Sequence, residues 1–487
     1  MNDGASSVAA GTPVMTPAAR RVSPLTRWSF GLGSIAYGVK DGGFTTFLLL
    51  YYNQVVGLPP GRLGLVIASA LLVEAFVDPF VGFLSDITRT RWGRRHPWMY
   101  ASALPVALGW LLLWNPPSGW SQDAMMAYVF GSALLVRIAL SAFEIPSAAM
   151  GPELSSDYDE RTSLFSYRYL FAWGGGLAML FLAYAVFLVP DAAHANGLQN
   201  PVGYQRYALT GAIIMALSIL ISSIGLHPEI KNLPTAAPMA PGGHWREFRA
   251  ALFNRGFLVL IAAGTFGYTA QGVAFTLSNY IYAYIWQFDD ATRAMVPGAL
   301  LLGAIIAFII APRLSRGGDK PRIAAILTIL AVLLTTAPFA LDLLGWFPPH
   351  GSPYQVPLLF VIYVADISCG VAATILGSAM LADVVEDSEI RTGRRSEGVF
   401  FAGGFFVQKV AGALGIGVAG QILDFVAFPA KAAVGQVPEV TIDRLMIVYI
   451  AAALFLRFGT AFWYTRFPFG RAEHEARLAR LGAKPAE

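Results

Sequence analysis

Twelve apolar runs follow one another between Trp28 and Arg466, and no other feature constrains this chain as tightly. Each holds about 18 residues or more, enough to cross roughly 30 Å of hydrocarbon as a helix rising about 1.5 Å per residue. A single soluble core could not bury that much apolar surface. Composition agrees: 56% of residues are apolar and only 13% are charged, about half the charged share of a soluble domain. The chain reads as an all-α integral membrane protein of twelve transmembrane helices.

The spans fall at about 28–52, 61–87, 97–115, 123–150, 164–190, 204–226, 254–286, 294–314, 321–346, 354–386, 396–426 and 440–466. Turn chemistry separates them: Pro59-Pro60-Gly61, Asn115-Pro116-Pro117, Asn200-Pro201, Gly317-Gly318 and Pro348-Pro349. Charge alternates from loop to loop. Arg89, Arg91, Arg94 and Arg95 follow span two; Lys231, Arg246, Arg249 and Arg255 follow span six. Arg313, Arg316, Lys320 and Arg322 follow span eight, and Arg391, Arg394 and Arg395 follow span ten. The other loops carry only scattered bases: Arg62, Arg206, Arg293 and Lys431. By the positive-inside rule, both termini and the basic loops face the cytoplasm, of either a bacterial inner membrane or a plasma membrane.

This pattern divides the chain into a tail (1–27), a six-helix half (28–226), a Pro- and Gly-rich cytoplasmic linker (227–253), a second six-helix half (254–466) and a tail (467–487). A weak repeat supports the division. Gly82-Phe-Leu-Ser-Asp86 after span two is echoed by Pro312-Arg-Leu-Ser-Arg-Gly-Gly-Asp-Lys320 after span eight. Paired halves around a central site are a common plan of secondary transporters. The polar first 27 residues lack the apolar core of a cleaved signal, so the first span is expected to direct insertion. Cys369 is the one cysteine, which rules out an intrachain disulfide and a thiol metal cluster. There is no Gly-Lys-Ser/Thr phosphate loop, which argues against ATP as the energy source.

Ionisable groups at membrane depth are costly and mark function. Lys40 and Asp41 lie midway along span one, and Glu74 and Asp78 stand on one face of span two, four residues apart. Arg137 and Glu144 share a face of span four, Arg168 lies early in span five, Asp366 in span ten and Lys409 in the middle of span eleven. The six histidines fall outside the spans or at their ends, so a buried histidine relay is not expected. Sodium seeks oxygen ligands, and Glu74 and Asp78, with Asp41, offer a carboxylate cluster for it. The same cluster would suit a proton, since crowded like charges raise one pKa. Alternatively each acid only neutralises Lys40, Arg137, Arg168 or Lys409; five acids against four bases leave one acid over. Arg168 either faces a pocket or snorkels to the interface. Asp86 with Arg91, Arg94 and Arg95 reads as a cytoplasmic latch, and Asp383, Glu386, Glu389 and Arg395 as a second one closing an inner gate. Gly174-Gly-Gly176 reads as close helix packing.

These residues resemble the glycoside–pentoside–hexuronide:cation symporters, the melibiose-permease branch of the major facilitator superfamily. The resemblance rests on Glu74-Ala-Phe-Val-Asp78-Pro79-Phe-Val-Gly82, Thr90-Arg91-Trp92-Gly93-Arg94, Lys40-Asp41, Glu144-Ile-Pro146, Arg168, Ala382-Asp383-Val-Val-Glu386 and Lys409. It implies symport coupled to sodium, or to lithium or protons, by alternating access. It also implies that Glu74 and Asp78 serve the cation, while Asp41, Glu144, Arg168 and Lys409 line or border the substrate cavity. No organic cofactor, nucleic-acid partner or obligate oligomer is expected; the partners are membrane lipids and the transported solute.

The departures concern the cargo. Val77 stands where sugar-transporting members place Asn, and Phe405 stands where the family has Thr, four residues before Lys409. By motif alignment Ala148 and Thr374 take positions held by Trp in the melibiose permease, and Arg137 replaces a small residue, adding a cation to the cavity. Related sodium-dependent lysophosphatidylcholine symporters share the fold that the resemblance implies. The substrate is therefore expected to be either a glycoside-like sugar, for which span-seven aromatics such as Tyr268 and Tyr280 offer a platform, or an amphipathic lysophospholipid. Its headgroup would meet Arg137, Arg168, Glu144 or Lys409. A membrane enzyme is the competing class, but no histidine or cysteine constellation at depth supports one.

Overall fold

The computed structural model describes residues 22–155, 157–232, 254–315, 319–392 and 397–469. Eleven uninterrupted helices among them are long and apolar enough to cross a membrane: Pro60–Ile87, His96–Trp114, Gln122–Leu154, Glu160–Phe187, Pro201–Lys231, Arg255–Ile285, Asp290–Ser315, Lys320–Leu343, Gln355–Ile390, Gly398–Phe425 and Glu439–Thr465. These are spans two to twelve. Span one is helical in pieces, Pro24–Leu32 and Ile35–Gly42 and onward to Val56, with a break at Gly33-Ser34. Most of the expected linker and both tails lie outside the described residues.

Helix starts follow local chemistry. Pro60 and Pro201 occupy first-turn positions, where no amide donor is needed. Ser121 and Asn254 cap spans four and seven by accepting from Ala124 and Phe257 amides. Spans one, five and seven end in wide turns, with amide-to-carbonyl bonds five residues apart: Gly57 to Tyr52, Leu188 to Ala183, and Trp286 to Ile281.

Packing repeats between the halves. In the first, span one packs on five and six, three on four and six, and two on four; in the second, seven packs on eleven and twelve, nine on ten and twelve, and eight on ten. Across the halves, span two meets eleven, five meets eight, and one meets seven. Small residues set these approaches. A Cβ on Gly38 would lie 1.9 Å from the Ala172 carbonyl oxygen, and one on Gly64 would lie 2.9 Å from Gly420 Cα. Gly175 and Gly176 do pack tightly, against Ile35 and Gly38, while Gly174 faces open space. Outward-facing apolar residues such as Leu209, Ile213, Leu217 and Ile221 on span six are half exposed, as hydrocarbon-facing residues are.

Candidate functional site

One end of the bundle is sealed by neutral hydrogen bonds across the halves. Tyr280 Oη donates to Asn53 Oδ1 (2.9 Å) and Tyr284 Oη to Gln54 Oε1 (3.0 Å). Asn279 Nδ2 donates to the Thr46 carbonyl (2.9 Å), and Asn279 Oδ1 accepts from Tyr184 Oη at 2.8 Å. Gln54 further binds Pro429 O (3.0 Å) and the Ala432 amide (2.9 Å). The wide turns of spans one and seven carry Asn53, Gln54 and Tyr284. None of them was singled out for closure in the sequence, where uncharged polar residues look like interface residues.

At mid-depth the halves meet through charge. Glu74, 2% exposed, accepts from Arg137 Nε of span four. Ser141 Oγ, one turn on from Arg137, donates to Asp78 Oδ1 at 2.6 Å and lies 3.4 Å from Glu74 Oε1. Lys409 reaches over from span eleven of the other half. Its Nζ donates to Glu74 Oε1 at 3.3 Å and pairs directly with Asp78 Oδ2. The two acids therefore come together as expected, joined by Ser141, which its helical spacing from Arg137 could have flagged. Asp41 does not join them; it is exposed on span one. Among the described residues no group of three or more Asp, Glu, His or Cys is placed to hold a metal ion.

Other expected site residues sit around this cluster. Lys40 is buried over the Tyr37 ring at 4.4 Å, with Glu74, Asp41 and Glu144 in its electrostatic surroundings. Glu144 is half-buried among Lys409, Lys40 and Arg168. Arg168 does not snorkel: it is buried, donates to Ser147 Oγ at 3.0 Å and lies 5.1 Å over the Phe30 ring. Arg137 is 4% exposed and stacked 4.8 Å over Phe44, so its charge is spent on Glu74 rather than offered to a cavity.

A cavity of about 180 Å³ opens in the second half, between spans seven, nine, ten, eleven and twelve. It runs toward the basic-loop ends, with Phe257, Leu381 and Tyr464 on its wall. Thr374 lines it, as do Gln271, Tyr268 and Arg457. Span eleven contributes Gly404 and Val407; Phe405 stands 53% exposed on that helix, and Ala148 is half-buried on span four. Arg457 was overlooked in the charge count although it interrupts an apolar run, and with it five bases match five acids.

At the basic end, Asp86 pairs with Arg95 at 3.1 Å, while Arg94 and Arg95 both reach Glu153 at 2.6 Å. Glu153, on the short helix after span four, completes that latch unannounced; Arg91 stacks on Trp92 instead. Asp383 pairs with Lys320 at 2.8 Å. Glu386 and Glu389 follow on the same helix, and Arg395 lies outside the described residues. Each of these ion pairs joins elements of one half.

Residues 29–471 match the family model described as MFS/sugar transport protein. The chain belongs to that family. It is a membrane carrier of the major facilitator type, not an enzyme. It is similar to a putative glycoside/cation symporter of Escherichia coli, with 24% identity covering 88% of each chain. It is also similar to the sodium-dependent lysophosphatidylcholine symporter 1 of Xenopus tropicalis, with 21% identity over 92% of this chain and 88% of that one. Among solved structures, a bacterial homologue of the human lysosomal transporter Spinster superposes with a TM-score of 0.65 at 12% identity, covering 96% of this chain and all of that one.

Proposed function

We propose that this carrier is a cation-coupled symporter in which Lys409 and the coupling cation, sodium, compete for Glu74 and Asp78. The observation that carries this is the Lys409 ammonium bridging both acids from the opposite half. A cation arriving from solution would take the two carboxylates and the Ser141 hydroxyl. Lys409 would then be released toward Glu144 and the cargo cavity. Binding of cation and cargo are thereby linked, each raising the other's affinity by one factor. Relaxing the ion pair also loosens the contact of spans two and eleven, on which rocking of the halves depends.

The positive-inside pattern of the loops supports a cavity that opens to the cytoplasm, in an inward-facing carrier of the bacterial inner membrane or a plasma membrane. The cavity wall favours a hydroxylated, sugar-like solute: Gln271, Thr374 and Ser378 offer polar contacts, and Tyr268 offers a ring face. Uptake of labelled glycosides into liposomes under an imposed sodium gradient tests this. Asp78→Asn abolishes sodium stimulation while the protein remains folded. Normal sodium stimulation in that variant overturns the assignment, and sodium-driven uptake of lysophosphatidylcholine without glycoside uptake replaces the cargo.

A further inference from the structure

Arg457 sits in span twelve at membrane depth, on the wall of the second-half cavity. Its guanidinium offers five N–H donors in a planar fork. Among the described residues no hydrogen bond and no ion pair within 4.0 Å engages any of them. Asp366, which feels its charge, lines with Arg457 the small adjoining cavity that Thr335 and Tyr449 also line. Asp366 Oδ1 has no hydrogen-bond partner among the described residues either, so the two groups sense each other's charge without pairing. Arg457 reaches across to span ten, where its Nη1 lies 3.4 Å from the position a Cβ on Gly370 would take. Asp366, Gly370 and Thr374 fall on one face of that helix at four-residue steps. The fork thus rests in a notch that glycine leaves open, with Thr374 and the cavity beyond.

A guanidinium at membrane depth whose donors open onto a cavity marks a ligand site. The other intramembrane bases here are engaged: Arg137 and Lys409 by carboxylates, Arg168 by Ser147 and Phe30, and Lys40 by the Tyr37 ring. Among the described residues, Arg457 alone of these bases faces the cavity without a hydrogen-bond or ion-pair partner. Planar forks match carboxylate and phosphate oxygens two at a time.

We infer that the cargo carries an acidic group, a carboxylate or a phosphate, and that Arg457 receives it while Gln271 and Tyr268 meet its hydroxyls. This rests on reading the cavity as the cargo site. The acid would sit on the second half, and the remainder of the solute would extend toward Glu144 and Arg168 of the first. Thr374, in place of a large aromatic side chain, leaves the fork accessible.

Thermal unfolding of the full chain in detergent, with glucose, glucuronate and glucose 6-phosphate as matched probes, decides the matter. Glucuronate or glucose 6-phosphate stabilises the protein at concentrations at which glucose does not. The better of the two tells a sugar acid from a phosphate-bearing cargo. Arg457→Gln weakens that acid about tenfold to a hundredfold, the range of a charge-assisted hydrogen-bond pair. Arg457→Lys, which keeps the charge and loses the fork, falls between. Arg457→Lys also covers the case in which Arg457→Gln does not fold. Equal stabilisation by glucose, no stabilisation by either acid, or unchanged acid binding in Arg457→Gln or, where that variant does not fold, in Arg457→Lys overturns the inference. Sodium-stimulated glucose uptake that persists in Arg457→Gln would sink the acidic cargo alone; acid binding that needs Arg457 but ignores sodium would sink the coupling alone.

Discussion

Two of the contacts that join the halves of this carrier work by opposite means. At the sealed end, tyrosines, asparagines and glutamines share neutral hydrogen bonds among Asn53, Gln54, Asn279, Tyr280 and Tyr284. At mid-depth, a single lysine holds two carboxylates. The neutral lattice divides its strength over many bonds, each worth about 0.5–1.5 kcal/mol net, and it has nothing to exchange with an ion. The charged junction concentrates its strength in one side chain that a dissolved cation can replace. A carrier needs both: a seal that opens only when many bonds yield together, and a switch that one ion can operate.

Glu74→Gln gives the largest expected effect, because it leaves Arg137 buried beside a neutral amide. Removing one partner of a buried pair costs about 3–5 kcal/mol, so thermal unfolding in detergent drops sharply and Arg137→Met in the same chain restores part of it. No drop would mean that the mid-depth junction is held by something other than charge. Lys409→Ala follows at about 1–3 kcal/mol, less because 24% of its side chain is exposed. Its decisive signature is sodium: the vacated carboxylates bind the ion more tightly, so sodium raises the melting temperature of this variant more than that of the parent. An equal rise in both would separate Lys409 from the cation site.

Gly64→Ala is expected to cost about 1–3 kcal/mol through overpacking against Gly420 and to slow transport without altering sodium affinity. A change in sodium affinity would show that spacing of spans two and eleven, not Lys409, governs the site. Tyr280→Phe is the mildest, at about 0.5–1.5 kcal/mol for one lost neutral bond. In a Cys369→Ser background, a cysteine placed at Thr46 should react faster with a membrane-impermeant maleimide when Tyr280 is Phe. Unchanged labelling would mean that the lattice seals by packing of its rings alone.

Much of this architecture was legible before any coordinates. Twelve long apolar runs with alternating loop charge lead to the bundle because hydrocarbon admits helices whose backbone groups are satisfied internally. Glu74 and Asp78, four apart, had to share a face, and the Arg137 to Glu144 spacing placed a second charged stripe. Less legible were the residues whose meaning depends on their neighbours. Arg137 looked like a cavity cation and proved to be the partner of Glu74. Asp41, one residue from buried Lys40, points to the exposed side of the same helix. Glu153 and Ser141 are ordinary in sequence and become partners only where helices cross.

The sequence by itself determined that the chain crosses the membrane, how many times, and which residues stand on a common helix face, since each follows from local periodicity and the expense of bare polar groups in lipid. Only the tertiary structure decided which faces meet. It brought Lys409 to Asp78 across 331 positions of chain, left Arg457 without a hydrogen-bond or ion-pair partner among the described residues, and turned two wide helix ends into a seal. Such pairings are set by where glycines let backbones approach and by how the two halves lean together, and no window of a few residues contains that information.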